Sequence, residues 1–351
     1  MNTQIDANFL QSGLKPRRPV YRIDEGDRKY YTIKDDGGID ICDSVTSVLS
    51  KVMPISEYLI KWYADFGYQK ALQMMKENAH YGTFSHICFS QLLKNKTFDL
   101  SQLQDMIDNF VKENNIDFYT GDWEAKIKDD LLTLQKFIID YEVEPIAIEI
   151  PLIAHLNINN ITDFGIGGTI DLVAKMKIGN GVNGNVLKAD LKYNKDGVLI
   201  EDKRQSITAI IDWKSGRHGF YASHEAQLHL YKMIWEANFN DIHIDKVYNW
   251  SPKDWGDEPT YYLKDQTNSQ EKYKIPHYLS IFLLEEEGKK SRLHHEINGI
   301  IDLTDKSKVN LDVKIENLQT MLERKHKQEK SEIPIIADGD DELLFHLNKQ
   351  D

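Results

Sequence analysis

The spacing of apolar residues along the chain changes near residue 145. Before that point, segments near 56–78, 82–95, 100–114 and 122–141 carry apolar residues at intervals of three and four, which predicts helices. After it, alternate residues from Ile146 to Leu152 and from Ile170 to Ile178 are apolar, which predicts two strands. The pattern then predicts a strand over 207–213, a helix over 223–237 and a strand over 246–250. This order favours an α/β core with a helical N-terminal elaboration.

Other segments mark the limits of this core. Residues 21–41 predict a hairpin that turns at Asp35–Gly38, and a helix capped by Ser44 or Thr46 follows. Residues 179–204 are rich in Gly and Asn and contain a second hairpin signal, so we interpret them as a β-hairpin insertion. Our predicted division is a flexible arm over 1–19, one domain over 20–305, and a charged helix (310–328) with an acidic tail over 306–351.

Composition narrows the functional classes. With 351 residues and a net charge of -13, the protein is not expected to coat DNA through a globally attractive field. Two cysteines are too few for a four-cysteine iron-sulfur cluster or a disulfide framework. The chain begins without a signal-peptide pattern and has no long uncharged stretch, so we expect a cytoplasmic protein with no membrane partner.

Two carboxylates on neighbouring predicted strands are the main candidates for chemistry. Asp212 and Lys214 leave the same face of one strand, and Asp171 follows Gly168 on the preceding strand. If the two carboxylates converge, a hard divalent cation relieves their repulsion. The simpler interpretation of each motif alone is an exposed ion pair at a strand end, or a solvated Asp after a turn.

Two helical segments carry further candidates. Gln227 and Tyr231 are four residues apart on the helix that follows Asp212, so both face the same side. His86 lies beside the apolar stripe of an earlier helix that contains Gly82 and Thr83. Each of these residues alone is more typical of packing than of chemistry.

Taken in order, these motifs resemble those of one known family. Gly82-Thr83-x-x-His86, Gly168-x-x-Asp171, Asp212-x-Lys214 and Gln227-x3-Tyr231 are similar to the motifs of the PD-(D/E)XK nuclease superfamily, in particular its RecB-like and phage-type exonucleases. Asp212 follows Asp171 by 41 residues, more than is usual in that family, and we attribute the excess to the insertion. The resemblance spans about residues 20–252 and implies a PD-(D/E)XK nuclease-like core, a mixed central sheet flanked by helices.

The resemblance also implies roles for individual residues. His86, Asp171, Asp212 and the backbone carbonyl of Trp213 would hold Mg²⁺ or Mn²⁺, with Glu149 as an additional candidate. Lys214 would orient or deprotonate the attacking water, and Gln227 and Tyr231 would position the DNA strand or the lysine. The implied activity is metal-dependent hydrolysis of DNA phosphodiester bonds, as an exonuclease in phage or mobile-element DNA processing, recombination or repair, in a bacterial or phage-infected cell.

Binding of DNA requires local positive charge on an acidic protein. The sequence candidates for nucleic-acid contacts are Arg217, His218, Lys192, Lys203 and Arg204. The expected substrate is linear or single-stranded DNA, and the acidic tail suits a protein partner. The alternative is a non-cleaving nucleic-acid-binding or scaffold protein that retains the nuclease fold.

Overall fold

A computed structural model of the chain describes residues 9–24, 26–116, 119, 121–217, 219–290, 296–298 and 312–314. The chain divides into two compact units, which are described separately. The first contains residues 1–33 and 40–291, and the second contains residues 34–39 and 292–351.

Seven α-helices lie among the described residues. They are α1 (Val45–Val52), α2 (Glu57–Phe66), α3 (Tyr68–Asn95), α4 (Leu103–Glu113), α5 (Trp123–Tyr141), α6 (Ala222–Asn238) and α7 (Glu271–Lys290). Helix α1 begins after Ser44, whose hydroxyl oxygen accepts a hydrogen bond from the N–H of Ser47 at 2.9 Å, as expected for an N-cap serine.

The strands of the described chain are β1 (Phe9–Leu10), β2 (Tyr21–Ile23), β3 (Lys29–Ile33), β4 (Ile39–Ser44), β5 (Glu144–Ile158), β6 (Ile161–Ile178), β7 (Leu191–Tyr193), β8 (Leu199–Asp202), β9 (Gln205–Trp213), β10 (Lys246–Lys253), β11 (Thr260–Asp265), β12 (Glu296–Asn298) and β13 (Asp312–Lys314). Nine of these strands form one mixed sheet, in which the long strand β6 contacts β4, β5 and β9. Strand β6 is antiparallel to β5 and β9 and parallel to β4. Strands β9 and β10 are parallel and are joined by α6, which makes a βαβ unit.

Helices cover both faces of this sheet. Residues of α1, α6 and α7 share one apolar core with Ile170, Ile210 and Val247. Residues of α3, α4 and α5 share a second core with Leu172 and Ile211. Alternate residues of a strand point to opposite faces, so neighbouring residues such as Ile210 and Ile211 enter different cores. The predicted mixed central sheet flanked by helices is therefore confirmed.

The 179–204 region contains a hairpin, as predicted. Strands β7 and β8 pair with each other antiparallel and form a separate two-stranded sheet. The chain turns at Asn194–Gly197, where the Gly197 N–H donates to the Asn194 carbonyl at 3.1 Å. Strand β6 ends just before this region and β9 begins just after it, so the insertion leaves the pairing of β6 with β9 intact.

In the second unit, one element differs from the sequence prediction. Residues 34–39 form a turn, and β12 pairs antiparallel with β13. Strand β13 lies inside the segment 310–328 that we predicted as a helix. Val309, Leu311, Val313 and Ile315 alternate with polar residues, and this period of two is typical of a strand. The remainder of that segment and the acidic tail lie outside the described residues, and the domain boundaries stay predictions.

No helix in the described part of the chain combines the length and the apolar character that crossing a membrane requires.

Candidate active site

A cleft in the first unit has a volume of about 1160 Å³ and is bordered by helices α1, α2, α3 and α6. It contains the side chains from all four sequence motifs. Those lining it are His86, Glu149, Asp171, Asp212, Trp213, Lys214, Gln227 and Tyr231. The fold therefore brings together residues that lie up to 145 positions apart in the chain.

Three of these side chains form a compact group of potential metal ligands. The Nδ1 atom of His86 lies 2.9 Å from Oε1 of Glu149 and 3.6 Å from Oδ1 of Asp171. One ligand atom from each residue lies within 4.8 Å of the other two. Both carboxylates are buried, whereas the histidine is partly exposed to the cleft. We refer to His86, Glu149 and Asp171 as the acidic cluster.

The backbone at Glu149 adopts an unusual conformation that belongs to this cluster. Its φ angle is +48°, which is rare for a residue with a side chain and costs on the order of 1–3 kcal/mol. The flanking pairs Ile148 with Leu172 and Ile150 with Ile170 keep the same register across β5 and β6. The strain is thus confined to Glu149, the residue whose carboxylate contacts His86.

Strand register brings the two predicted carboxylates together. Leu172 pairs with Ile211 across β6 and β9, so Asp171 and Asp212 lie at the next positions along the two strands. Oδ2 of Asp171 accepts a hydrogen bond from the Trp213 N–H at 2.8 Å. The Trp213 N–H therefore bonds to a side-chain carboxylate instead of a backbone carbonyl, at the point where the pairing of β6 with β9 ends. The carboxylate of Asp171 is thereby held between the acidic cluster and β9.

Asp212 and Lys214 begin a continuous chain of polar contacts. Nζ of Lys214 lies 2.9 Å from Oδ1 and 2.8 Å from Oδ2 of Asp212, and donates to Oε1 of Gln227 at 3.3 Å. Nε2 of Gln227 in turn donates to the Tyr231 hydroxyl at 2.8 Å. The ammonium group is therefore fixed by β9 on one side and by α6 on the other.

Two buried amide side chains, those of Asn249 and Gln266, form a hydrogen-bonded chain that holds Asp212. Nδ2 of Asn249 donates to Oδ2 of Asp212 at 2.8 Å, and Oδ1 of Asn249 accepts from Gln266 Nε2 at 3.1 Å. Asn249 is fully buried, and it pairs with Asp212 across the parallel strands β9 and β10. Sequence analysis missed Asn249 and Gln266, although an Asn inside the apolar run of β10 is a signal for a buried polar contact.

The glycine of the Gly-x-x-Asp motif has a packing function. A Cβ atom at Gly168 would lie 2.5 Å from Cε1 of Tyr231, which is closer than such atoms approach. Only glycine therefore lets the Tyr231 ring lie against β6, where it supports the Gln227 amide. The second glycine of the motifs, Gly82, lies on α3 one turn before His86.

Electrostatics in the cleft are dominated by buried carboxylates. Burial raises the pKa of Asp212 to about 6, although Lys214 opposes this change. Burial also raises the pKa of Asp171, against the effect of His86. For His86 burial alone would lower the pKa, but Asp171 and Glu149 outweigh it and raise this pKa to about 9. The site thus holds more negative charge than its own cations relieve.

The donor set fits a hard divalent cation. Carboxylate oxygens are preferred ligands of Mg²⁺ and Mn²⁺, and an imidazole is acceptable to Mn²⁺. In the structure Glu149 belongs to the acidic cluster with His86 and Asp171. Asp212 lies beside this cluster and is paired with Lys214. The Trp213 carbonyl as a ligand stays a prediction.

The predicted nucleic-acid contacts lie elsewhere in the described structure, because Arg217, Lys192, Lys203 and Arg204 are all absent from the residues that line the cleft. Lys192 and Lys203 lie 2.7 Å and 3.5 Å from oxygens of Glu201, their neighbour on the hairpin. His218 lies outside the described residues.

Arg204 and Arg217, which the sequence suggested as DNA contacts, are instead paired with carboxylates of the protein. The Arg204 side chain is 3% exposed and binds Asp202 and Glu142. It therefore fastens the hairpin to the end of α5 instead of presenting charge to DNA. Arg217 binds Asp130 at 2.5 Å and Asp254 at 2.6 Å. Because Asp130 is fully buried, this contact neutralises a buried charge between α5 and the loop after Lys214.

Other cations line the cleft in their place. They are Arg22, Arg28 and Lys274, together with Lys214. Arg22 and Arg28 each lie 2.8 Å from a carboxylate oxygen of Asp24. No periodic pattern in the sequence marks Arg22 and Arg28, because their position in the cleft depends on how the segment of β2 and β3 folds.

Comparison with known proteins identifies no family for the chain. No family model matches the chain, and no curated protein matches it. Among solved structures, the protein SSO0001 is 13% identical, with a TM-score of 0.24, over 58% of this chain and 74% of that chain. A protein named "Putative exonuclease" from Eubacterium rectale is 12% identical, with a TM-score of 0.29, over 73% of this chain and 99% of that chain. Likenesses this low support no conclusion about the present chain.

Proposed function

We propose that the protein is a divalent-metal-dependent nuclease that hydrolyses phosphodiester bonds in DNA. The observation that carries the proposal is the position of the acidic cluster beside the Asp212–Lys214 pair, in one cleft. The motifs lie on α3, β6, β9 and α6 in the order that the PD-(D/E)XK resemblance implies. We therefore propose that the chain is related to the RecB-like members of that superfamily, as the resemblance implies.

The metal would be held by His86, Glu149 and Asp171, with Asp212 beside them. When bound, Mg²⁺ or Mn²⁺ supplies Lewis-acid chemistry, since it polarises a phosphoryl oxygen and lowers the pKa of water. Two buried carboxylates and strain at Glu149 are costly in a fold that makes no use of them. A cation offsets the repulsion between Glu149 and Asp171.

Lys214 is the group suited to act on the reacting atoms. Its side chain is partly exposed to the cleft, while Asp212 and Gln227 fix the position of Nζ. From there an ammonium group orients water and stabilises the negative charge that develops on the phosphate. Gln227 and Tyr231 are positioning residues, because they act through Lys214.

Cations within the lining of the cleft give an anionic substrate local partners on this acidic protein. Arg22, Arg28 and Lys274 line the cleft together with the carboxylates, where Arg22 and Arg28 pair with Asp24 and Lys274 pairs with Glu271. Phosphate groups of a nucleic acid are the anions that such a lining attracts. The resemblance also implies that the reaction is exonucleolytic and that linear or single-stranded DNA is the substrate. Both of these stay proposals.

Cleavage of labelled linear and circular DNA, with Mn²⁺ or Mg²⁺ and with chelator, tests the proposal. We expect metal-dependent cleavage of linear DNA and none after Asp171→Ala. Lys214→Ala should lower the cleavage rate by on the order of a hundredfold or more, with DNA affinity in Ca²⁺ nearly unchanged. Lys192→Ala is the matched control, since its ammonium group is exposed on the hairpin, and it should cleave normally.

Two results would contradict the proposal. Cleavage that Asp171→Ala and Lys214→Ala both retain would show that the cleft is not the catalytic site. A folded protein that binds DNA without cleaving it under any of these conditions would instead support the non-cleaving alternative.

A further inference from the structure

A second group of potential metal ligands lies away from the acidic cluster, on strands β4, β5 and β6. Ligand atoms of Asp40, Cys42 and His155 lie within 4.8 Å of one another. Oδ2 of Asp40 lies 2.8 Å from Nε2 of His155, and Oδ1 of Asp163 lies 2.8 Å from Nδ1 of the same ring. None of these residues takes part in the chemistry proposed above, and none lines the cleft.

Sheet register explains why these donors meet. His155 pairs with Gly165 across β5 and β6, and Asp43 pairs with Ile166 across β4 and β6. Because β4 and β6 are parallel, Cys42, which precedes Asp43, lies beside Gly165, which precedes Ile166. A thiol and an imidazole thus flank the same glycine from the two neighbouring strands.

Gly165 leaves space between these two donors. A Cβ atom at this position would lie 2.8 Å from Sγ of Cys42, 3.3 Å from Cε1 of His155 and 3.7 Å from its Nδ1. A larger residue would therefore separate the thiol from the imidazole. Asp40 is two residues before Cys42 on β4 and Asp163 is two before Gly165 on β6, so both carboxylates reach the same side of the sheet.

We propose that Cys42, Asp40 and Nε2 of His155 form a binding site for Zn²⁺, while Asp163 accepts a hydrogen bond from Nδ1–H of His155 and so leaves Nε2 for the metal. Thiolate, imidazole and carboxylate together are the ligand types of zinc, and the thiolate disfavours Mg²⁺. Cys42 binds as the thiolate and gives its proton to solvent. The ion ties the tip of the β5–β6 hairpin to β4, close to the strand end from which α1 begins. This site is independent of the proposed nuclease activity.

Cobalt provides a direct test, because Co²⁺ bound to a thiolate gives a charge-transfer absorption in the near ultraviolet. The full-length reduced protein is titrated with Co²⁺ and then with Zn²⁺. We expect this absorption to saturate at about one Co²⁺ per chain and to disappear when Zn²⁺ displaces it. Asp171→Asn should leave it unchanged, since the acidic cluster contains no thiol.

The two cysteines make the assignment unambiguous. Cys88 is buried in the core between the sheet and α3–α5, where burial raises the pKa of its thiol to about 12. We expect Cys88→Ser to keep the cobalt absorption and Cys42→Ser to lose it. His155→Ala should weaken Zn²⁺ binding by about tenfold or more, whereas His243→Ala, at an exposed histidine, should not.

Thermal unfolding gives a second readout that does not depend on the spectrum. In the Asp171→Asn background, which disables the acidic cluster as a metal site, Zn²⁺ should raise the Tm of the protein and of its Cys88→Ser variant, and should not raise that of the folded Cys42→Ser or Cys42→Ala variants. The inference is overturned if the natural protein shows no thiolate–cobalt absorption, or if Cys42→Ser retains it. In that case the His155 ring serves only as an ion-pair bridge between Asp40 and Asp163.

Discussion

Replacement of Asp212 by Asn should stabilise the metal-free protein at neutral pH while it abolishes cleavage. The Asp212 side chain is 1% exposed, and burial raises its pKa from 3.8 to about 6. At 1.36 kcal/mol per pH unit, this rise corresponds to a penalty of about 3 kcal/mol for the ionised group. The replacement removes the charge and so removes that penalty.

One local contact reduces the gain. Asn249 donates its Nδ2–H to Asp212 and accepts from Gln266 through its other atom, so it is held in one orientation. In Asp212→Asn, the new amide NH₂ group would face the NH₂ group of Asn249. Two donors cannot bond to each other, so one hydrogen bond worth about 1 kcal/mol is lost. The expected net stabilisation from Asp212→Asn is therefore about 2 kcal/mol at pH 7.

The pH dependence identifies the cause. The folded pKa lies above the unfolded value, so the natural protein loses stability as the pH rises from about 4 to about 6, and the full penalty remains above that range. The variant lacks this loss. Its advantage over the natural protein should thus be greatest at pH 7 and should vanish or reverse near pH 4.

Urea unfolding in chelator at several pH values, followed by tryptophan fluorescence, measures this difference. Asp241→Asn is the control, because this carboxylate is exposed in a turn and its loss should change stability little at any pH. The reasoning is refuted if Asp212→Asn is no more stable than the natural protein at pH 7. It is refuted equally if the difference between the two proteins is independent of pH.

Three other substitutions test how the site and its surroundings are held. Gly168→Ala should cost about 1–3 kcal/mol and lower cleavage, because its Cβ meets the Tyr231 ring; unchanged stability and rate would contradict the packing role. Arg204→Ala should lower the unfolding free energy by about 1–3 kcal/mol and leave DNA affinity unchanged, as measured by urea unfolding and by binding in Ca²⁺. Arg217→Ala leaves the Asp130 carboxylate buried without its cation, and should destabilise the protein by about 3–5 kcal/mol; Arg217→Ala with natural stability would refute this reading.

The local pattern of the sequence was sufficient for the elements that carry the site. The period of apolar residues predicted β6, β9, α6 and β10, and the structure differs mainly in their limits. Spacing of two along a strand and of four along a helix also placed Asp212 with Lys214 and Gln227 with Tyr231. Such relations depend only on backbone geometry within one element, so a sequence contains them in full.

Contacts between elements depended on register and burial, which the sequence does not encode locally. The positive φ angle of Glu149, the support of Asp212 by Asn249 and the row formed by Cys42, Gly165 and His155 arise only when distant strands pair. The role of each arginine was likewise decided by its neighbours, since Arg204 appeared free in sequence but is enclosed between Asp202 and Glu142. The sequence by itself determined the residue types and the elements that carry the site, whereas the tertiary structure decided which charges face each other, because electrostatic partners are set by distance in space and not along the chain.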